Sequence, residues 1–209
     1  ASLRRMTKKI RIVTHSGGFH TDDVFGVATL TLLHGKENVE VVRSREPEVH
    51  ATGEYVLDTG EVYNPETNRF DHHQKGGAGE RTNGIPYASF GLIWKKFGEA
   101  VCGSASIADT LDVEVVQPID AFDNGVTLHE LIHPSKIEPI LFYNVISTFA
   151  PFRGEKLTND EGFARAVDFA IEFLRRKILF AQEGEASAEI VRRAYEDASD
   201  KRMILVEVE

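Results

Sequence analysis

An α/β fold is what this sequence predicts: a mainly parallel sheet with helices on both faces, followed by a short helical C-terminal part. Three observations carry that expectation. Short β-branched runs sit at residues 9–14, 39–43 and 55–57, a helix-length apolar stretch separates the first two, and long helical periodicity takes over after residue 154. Strand, helix, strand and strand in that order imply crossover connections, which make neighbouring strands parallel.

The elements follow in chain order. KIRIVT at 9–14 reads as a buried strand running into a turn at Gly17–Gly18. Asp22 and Asp23 give an acidic start to the helical run VFGVATLTLLH. Val39–Arg43 and Tyr55–Leu57 are the next strands, the second ending at Asp58-Thr59-Gly60. EVYNPETNRFDHH at 61–73 has the form of a hairpin, because NPETN supplies turn residues between two strand-like runs. The glycine-rich KGGAGERTNG at 75–84 is expected to be a mobile loop. Helices are expected over 87–97, 106–120 and 136–148. From Asp160 to Gln182, Phe163, Val167, Ala170, Ile171 and Leu174 recur at helical spacing; a further helix is expected over 185–199, then strand-like MILVEVE at 203–209. PFRG at 151–154 marks the boundary between a first domain, 6–150 from a natural start at Met6, and a helical segment, 151–209.

Composition narrows the function classes. The balance of 24 Lys and Arg against 33 Asp and Glu gives a net charge of −9, which excludes a protein that coats nucleic acid by diffuse positive charge. A polyanionic substrate stays open, since bound metal ions reverse the local sign. A single cysteine, Cys102, cannot form an intrachain disulfide and fits a reducing cytoplasm. No apolar stretch is long enough to span a bilayer, and residues 1–9 lack the apolar core of a signal peptide. A mature, soluble, cytoplasmic protein is the expectation.

Four clusters at strand ends or in loops carry the chemistry: His15-Ser-Gly-Gly-Phe-His20-Thr-Asp22-Asp23, Asp58-Thr59-Gly60, Asp71-His72-His73 and Asp120-Ala-Phe-Asp123-Asn-Gly. Singly, three have a structural explanation, whereas Asp71-His72-His73 is more specific, because adjacent histidines after a carboxylate are uncommon outside metal or acid–base sites. His15 reads as a structural histidine, Asp22 or Asp23 as a helix N-cap, Asp58-Thr-Gly as a turn, and Asp120 as a surface or turn-capping residue. Together they form a mixed imidazole–carboxylate set suited to Mn, Co, Fe or Zn, and too large for one ion. A carboxylate bridging two ions serves phosphoryl chemistry by activating water and stabilising the displaced group.

The segments THSGGFHTDDVFGVATL, VLDTG, FDHHQKGG and IDAFDNG resemble the DHH phosphoesterase superfamily, and within it the melanocyte proliferating gene (Myg-type) family. The match is strong from about Lys9 to Ile132. The resemblance implies a DHH-like fold and metal-dependent hydrolysis of phosphodiester bonds, in the manner of a 3′–5′ exonuclease or oligonucleotide phosphodiesterase acting on RNA. It implies two divalent ions, manganese first, with cobalt, magnesium or zinc as alternatives. By that resemblance His15, His20, Asp22, Asp58, His72 and Asp123 are the metal ligands, with Asp58 shared. Asp71 orients His72, and His73 faces the substrate phosphate. Asp123 is preferred over Asp120 because Asp123-Asn-Gly mimics the superfamily's Asp-Thr-Gly. Fuller family members continue into a second lobe, of which 151–209 is a partial or reduced version. Lys75 and Arg153 are candidate phosphate contacts, each as readily a surface residue. His34, His50, His129 and His133 are set aside as lacking a ligand pattern, and Cys102 as buried packing.

Two other functions compete. One is a small-molecule phosphohydrolase of the pyrophosphatase or nucleotidase type, favoured by the acidic composition and the lack of an aromatic-basic stacking stretch. The other is a catalytically silent binding protein that keeps a metal site for stability. The motifs leave the oligomeric state open.

Overall fold

The structure is a computed structural model and describes residues 8–201. Five strands form one mixed, mostly parallel sheet in the order β2-β1-β3-β5-β4, where β1 is Ile10–Thr14, β2 Val39–Arg43, β3 Tyr55–Leu57, β4 Tyr63–Asn64 and β5 Arg69–Phe70. The first three strands and the 61–73 hairpin stand where the sequence places them, and only β4 runs antiparallel. Register pairs Ile12 with Val41 and with Tyr55, and Val13 with Val42 and with Val56, so alternate residues face opposite sides.

One side carries the main core. Ile12, Tyr55, Leu57 and Phe70 pack beneath α1 (Thr21–His34), α3 (Ser89–Cys102) and the start of α7 (Asn159–Asp197). Phe163, Ala166, Ala170, Leu174 and Ile178 of α7 join this same cluster. The other side, with Val13 and Val56, is covered by the chain leading into β3: Gly53 lies against both valines, and Arg11 donates to Thr52 Oγ1 and, from its backbone, to Glu54. The helix expected on this second side is, among the described residues, the single turn α2 (Pro47–His50). Its sidedness follows from handedness. The crossover β1–α1–β2 steps one way along the sheet and β2–α2–β3 steps back past β1, so right-handed connections fall on opposite faces.

Several expected helices and one loop differ from the structure, and the helix expected over 87–97 runs over Ser89–Cys102. The expected helix at 136–148 shrinks to α6 (Phe142–Ile146) and a 3₁₀ turn at Ser147–Phe149, because Pro139 removes a donor and restricts the residue before it. The helix at 106–120 starts at Ala105 and runs to Asp123, as α4 (Ala105–Leu111), a π-type turn (Asp112–Val116) and α5 (Gln117–Asp123). The widened turn ends two residues before Pro118, whose missing N–H would otherwise break the ladder. The two helices placed at 160–182 and 185–199 are one, since Gly184 alone costs about 1 kcal/mol and its neighbours are good helix formers. Thr158 and Glu161 cap its start reciprocally. The loop at 75–84 is pinned rather than loose: Arg81 binds Asp112 through two nitrogens at 2.7 and 3.1 Å and Asp120 at 2.8 Å. The strand-like run 203–209 lies outside the described residues.

Asp120 is fully buried, and its second oxygen accepts from the Gly91 backbone N–H at 3.0 Å. A Cβ on Gly91 would stand 1.8 Å from Asp120 Oδ2. Gly91→Ala should therefore lower stability by at least about 1–3 kcal/mol, the usual cost of overpacking. An unchanged urea midpoint would show that α3 and α5 can part without penalty.

Candidate metal centre

The topology places the site. At β1 the strand order reverses, with β2 on one flank and β3 on the other, and the site lies beyond the carboxyl ends of β1, β3 and β5. His15 follows β1 directly, Asp58 follows β3, and Asp71-His72-His73 follow β5. The start of α1 brings His20, Asp22 and Asp23 to the same end, and the last residue of α5 is Asp123. Asp58 takes a left-handed backbone (φ 53°), which turns its carboxylate back under the strand ends.

The side chains converge. His15 Nε2 lies 3.1 Å from Asp23 Oδ2 and 3.2 Å from Asp58 Oδ2. His72 Nε2 lies 3.0 Å from Asp123, 3.5 Å from Asp58 and 3.8 Å from Asp22. Three overlapping groups bring donor atoms within 4.8 Å of one another: His15, His20 and Asp58; Asp58, His72 and His73; and His20, Asp22 and Asp123. Asp58 belongs to two of these groups and is steadied by a hydrogen bond from Ser89 Oγ at 3.2 Å.

Electrostatics in this cluster are unbalanced. Asp22 is fully buried and neither carboxylate oxygen receives a hydrogen bond; burial first, then the Asp58 and Asp123 carboxylates, holds it well above the ordinary carboxylate range. Burial pulls the His15 imidazolium down, yet Asp23 and Asp58 outweigh it and raise its pKa to about 10. His72 behaves alike: burial is opposed and overcome by Asp123 and Asp58, again to about 10. Asp58 itself, despite burial, is driven below its usual value by His15 and His72. Despite these approaches, neither His15 Nε2 nor His72 Nε2 has a hydrogen-bond partner. Orphaned buried oxygens and ring nitrogens gathered in these overlapping groups are a donor set that fits divalent cations.

The other candidates fall into place around this cluster. Asp120 points away, to Arg81 and Gly91, while Asp123 faces His72. Burial raises Asp120 to about 7 against the pull of Arg81. Asp71 was expected to orient the His72 ring; instead its Oδ1 accepts from His73 Nδ1 at 2.8 Å and from the His72 backbone at 2.7 Å, and its Oδ2 from Glu61 N at 2.6 Å. Lys75 and Arg153 are exposed and do not line the cleft of about 530 Å³ in front of the cluster. The cation that does is Arg45. Two participants were missed. Asp23 was assigned to helix capping; it accepts from His20 N at 3.0 Å and also faces His15 with its second oxygen. Arg45 gave no signal, because only the return of the chain after β2 brings it 3.2 Å from His15 Nδ1. Cys102 is buried and its thiol is pushed up to about 11, as packing requires.

These features define an α/β protein with a buried imidazole–carboxylate centre at the switch point of its sheet. The chain belongs to the MYG1 family: the family model MYG1_exonuc, described as an uncharacterised protein family (UPF0160), matches residues 11–208. It is similar to the mouse protein named MYG1 exonuclease, at 30% identity over 82% of this chain and 50% of that protein. A MYG1 protein of Chlamydia pneumoniae is 34% identical over 88% of this chain and 60% of its own length. The yeast MYG1 protein YER156C is 32% identical over 81% of this chain and 55% of its own. The chain thus spans about half the length of the curated relatives it matches. No solved structure matches it. Among the described residues no helix is long and apolar enough to cross a membrane.

Proposed function

We propose that this chain carries the catalytic centre of a metal-dependent phosphoesterase of the DHH type, acting as a 3′–5′ exonuclease or oligonucleotide phosphodiesterase on RNA in the cytoplasm. The observation that carries it is Asp22, a fully buried carboxylate with no donor to either oxygen, set among Asp58, Asp123 and His72. Relatives named exonucleases support the nucleic-acid substrate. His15, His20, Asp22, Asp58, His72 and Asp123 would hold two divalent cations, with Asp58 shared and Asp23 beside His15. Such a pair supplies an activated water and neutralises charge on the phosphoryl group. The protein's own part is to fix these ligands and to present His73. Its Nδ1 is committed to Asp71, which leaves Nε2 to donate to a phosphate oxygen or leaving group.

One observation favours a second reading, a small-molecule phosphohydrolase. Among the described residues no Phe, Tyr or Trp lines the cleft, so none of these large rings is there to stack a base. A panel of short RNA, dinucleotides, pyrophosphate and nucleoside monophosphates, assayed with added manganese, decides between them. Turnover confined to pyrophosphate or monophosphates would replace the nuclease reading, and no turnover on any member would leave a silent binding protein. Manganese or cobalt should support a faster rate than magnesium, because three imidazoles suit the later metals while magnesium prefers oxygen octahedra. Full rate with magnesium alone would refute the ligand assignment.

A further inference from the structure

The cleft is lined by more than the metal cluster. Beside His15, His20, Asp58, Asp71 and His73, its lining includes Arg45, His50, Thr59, Gly60 and Glu61. Arg45 is the one arginine or lysine among these residues. Its Nε donates to the Ser16 carbonyl at 3.3 Å and one terminal nitrogen lies 3.2 Å from His15 Nδ1, contacts that leave most of a five-donor fork unused. Among the described residues Arg45 has no carboxylate in a salt bridge, unlike Arg43 with Asp160 or Arg81 with Asp112 and Asp120. The chain around it is shaped to admit a ligand. Gly60 has φ 92°, a backbone that glycine takes without strain, and it brings the chain against the His50 ring. His50 is held by the Ser44 carbonyl through Nε2 at 3.1 Å, and Thr59 offers a hydroxyl at the same rim.

We propose that Arg45, with Thr59 and His50 at its rim, forms a second anion subsite that takes the phosphate neighbouring the one at the metal cluster. A planar guanidinium with free N–H pairs reads a phosphate in two-point fashion, which a lone surface lysine does not. Glu61 in the same lining makes the subsite depend on Arg45, since without that guanidinium no full positive charge remains there. The substrate class follows: a molecule with two phosphates, one held at the metal cluster and its neighbour by Arg45. This rests on the phosphoesterase reading for the metal cluster only.

Calorimetry on the manganese-loaded chain tests it with defined ligands. Nucleoside 3′,5′-bisphosphate should bind about 10- to 100-fold more tightly than nucleoside 5′-monophosphate, the worth of one charged hydrogen-bonded contact. Arg45→Gln should collapse that ratio toward one, and Arg45→Lys should restore part of it. Manganese stoichiometry is measured on each variant. Pyrophosphate against orthophosphate separates the two sources of a second phosphate: a preference there without one for the nucleoside bisphosphate assigns the subsite to an anhydride. Equal weakening of both ligands by Arg45→Gln, or no preference in the unmodified chain, would overturn the subsite. A chain that binds neither manganese nor either phosphate would instead count against the phosphoesterase reading itself.

Discussion

Asp58→Asn is expected to silence the protein while leaving it folded. Asparagine is one of the few residues that accepts the left-handed backbone of position 58, and it keeps the acceptor for Ser89. What it loses is the charge that both histidines face, His15 at 3.2 Å and His72 at 3.5 Å. A neutral amide cannot bridge two cations, so both should leave together, and the rate should fall by more than the about 10²–10³ seen when one preorganised electrostatic contact is removed. Elemental analysis of manganese-saturated protein is the first measurement, and the unfolding midpoint the control. Retention of two ions in a folded variant would mean that Asp58 bridges nothing. His15→Ala, which disturbs only one of the overlapping groups, should instead weaken one ion.

His73→Ala is expected to separate turnover from metal binding. Its ring is half exposed, its Nδ1 is taken by Asp71, and the Asp71 carboxylate is itself held by backbone N–H groups of Glu61 and His72. That arrangement fixes a tautomer and aims Nε2 outward, as a proton donor needs. Loss of such a group costs about 10²–10⁴ in kcat with metal content unchanged. His72→Ala should lose metal first. If the two variants lost metal equally, His73 would be a ligand, an outcome the 4.8 Å grouping of Asp58, His72 and His73 makes worth testing.

Much of this molecule was legible as sequence, and the reasons are local. Strands such as Val39–Arg43 and Tyr55–Leu57 announce themselves by β-branched runs with sharp boundaries. His15, His20, Asp22, Asp58, His72 and Asp123 fall at strand ends or helix termini, where an α/β sheet collects its functional groups. What stayed hidden depends on distance. The choice between Asp120 and Asp123 turns on Arg81, a residue 39 positions upstream of Asp120 that only the folded chain brings to it. Arg45 meets His15 across 30 positions, by the same route. The stretch 136–148 misleads for a local reason, since its apolar residues suggest a helix that Pro139 cuts back.

The long helix α7 has a consequence for how the fold opens. At 39 residues it extends about 58 Å, yet no residue of it beyond Ile178 is buried. Pairs such as Arg192 with Glu189 and Glu196 support that outer half, but a solitary helix of this length is marginal in water. The two halves therefore belong to different cooperative units despite an unbroken hydrogen-bond ladder. Amides before Ile178 should exchange with solvent deuterium only when the core around Phe163 and Leu174 melts, and those after it through fraying from the far end.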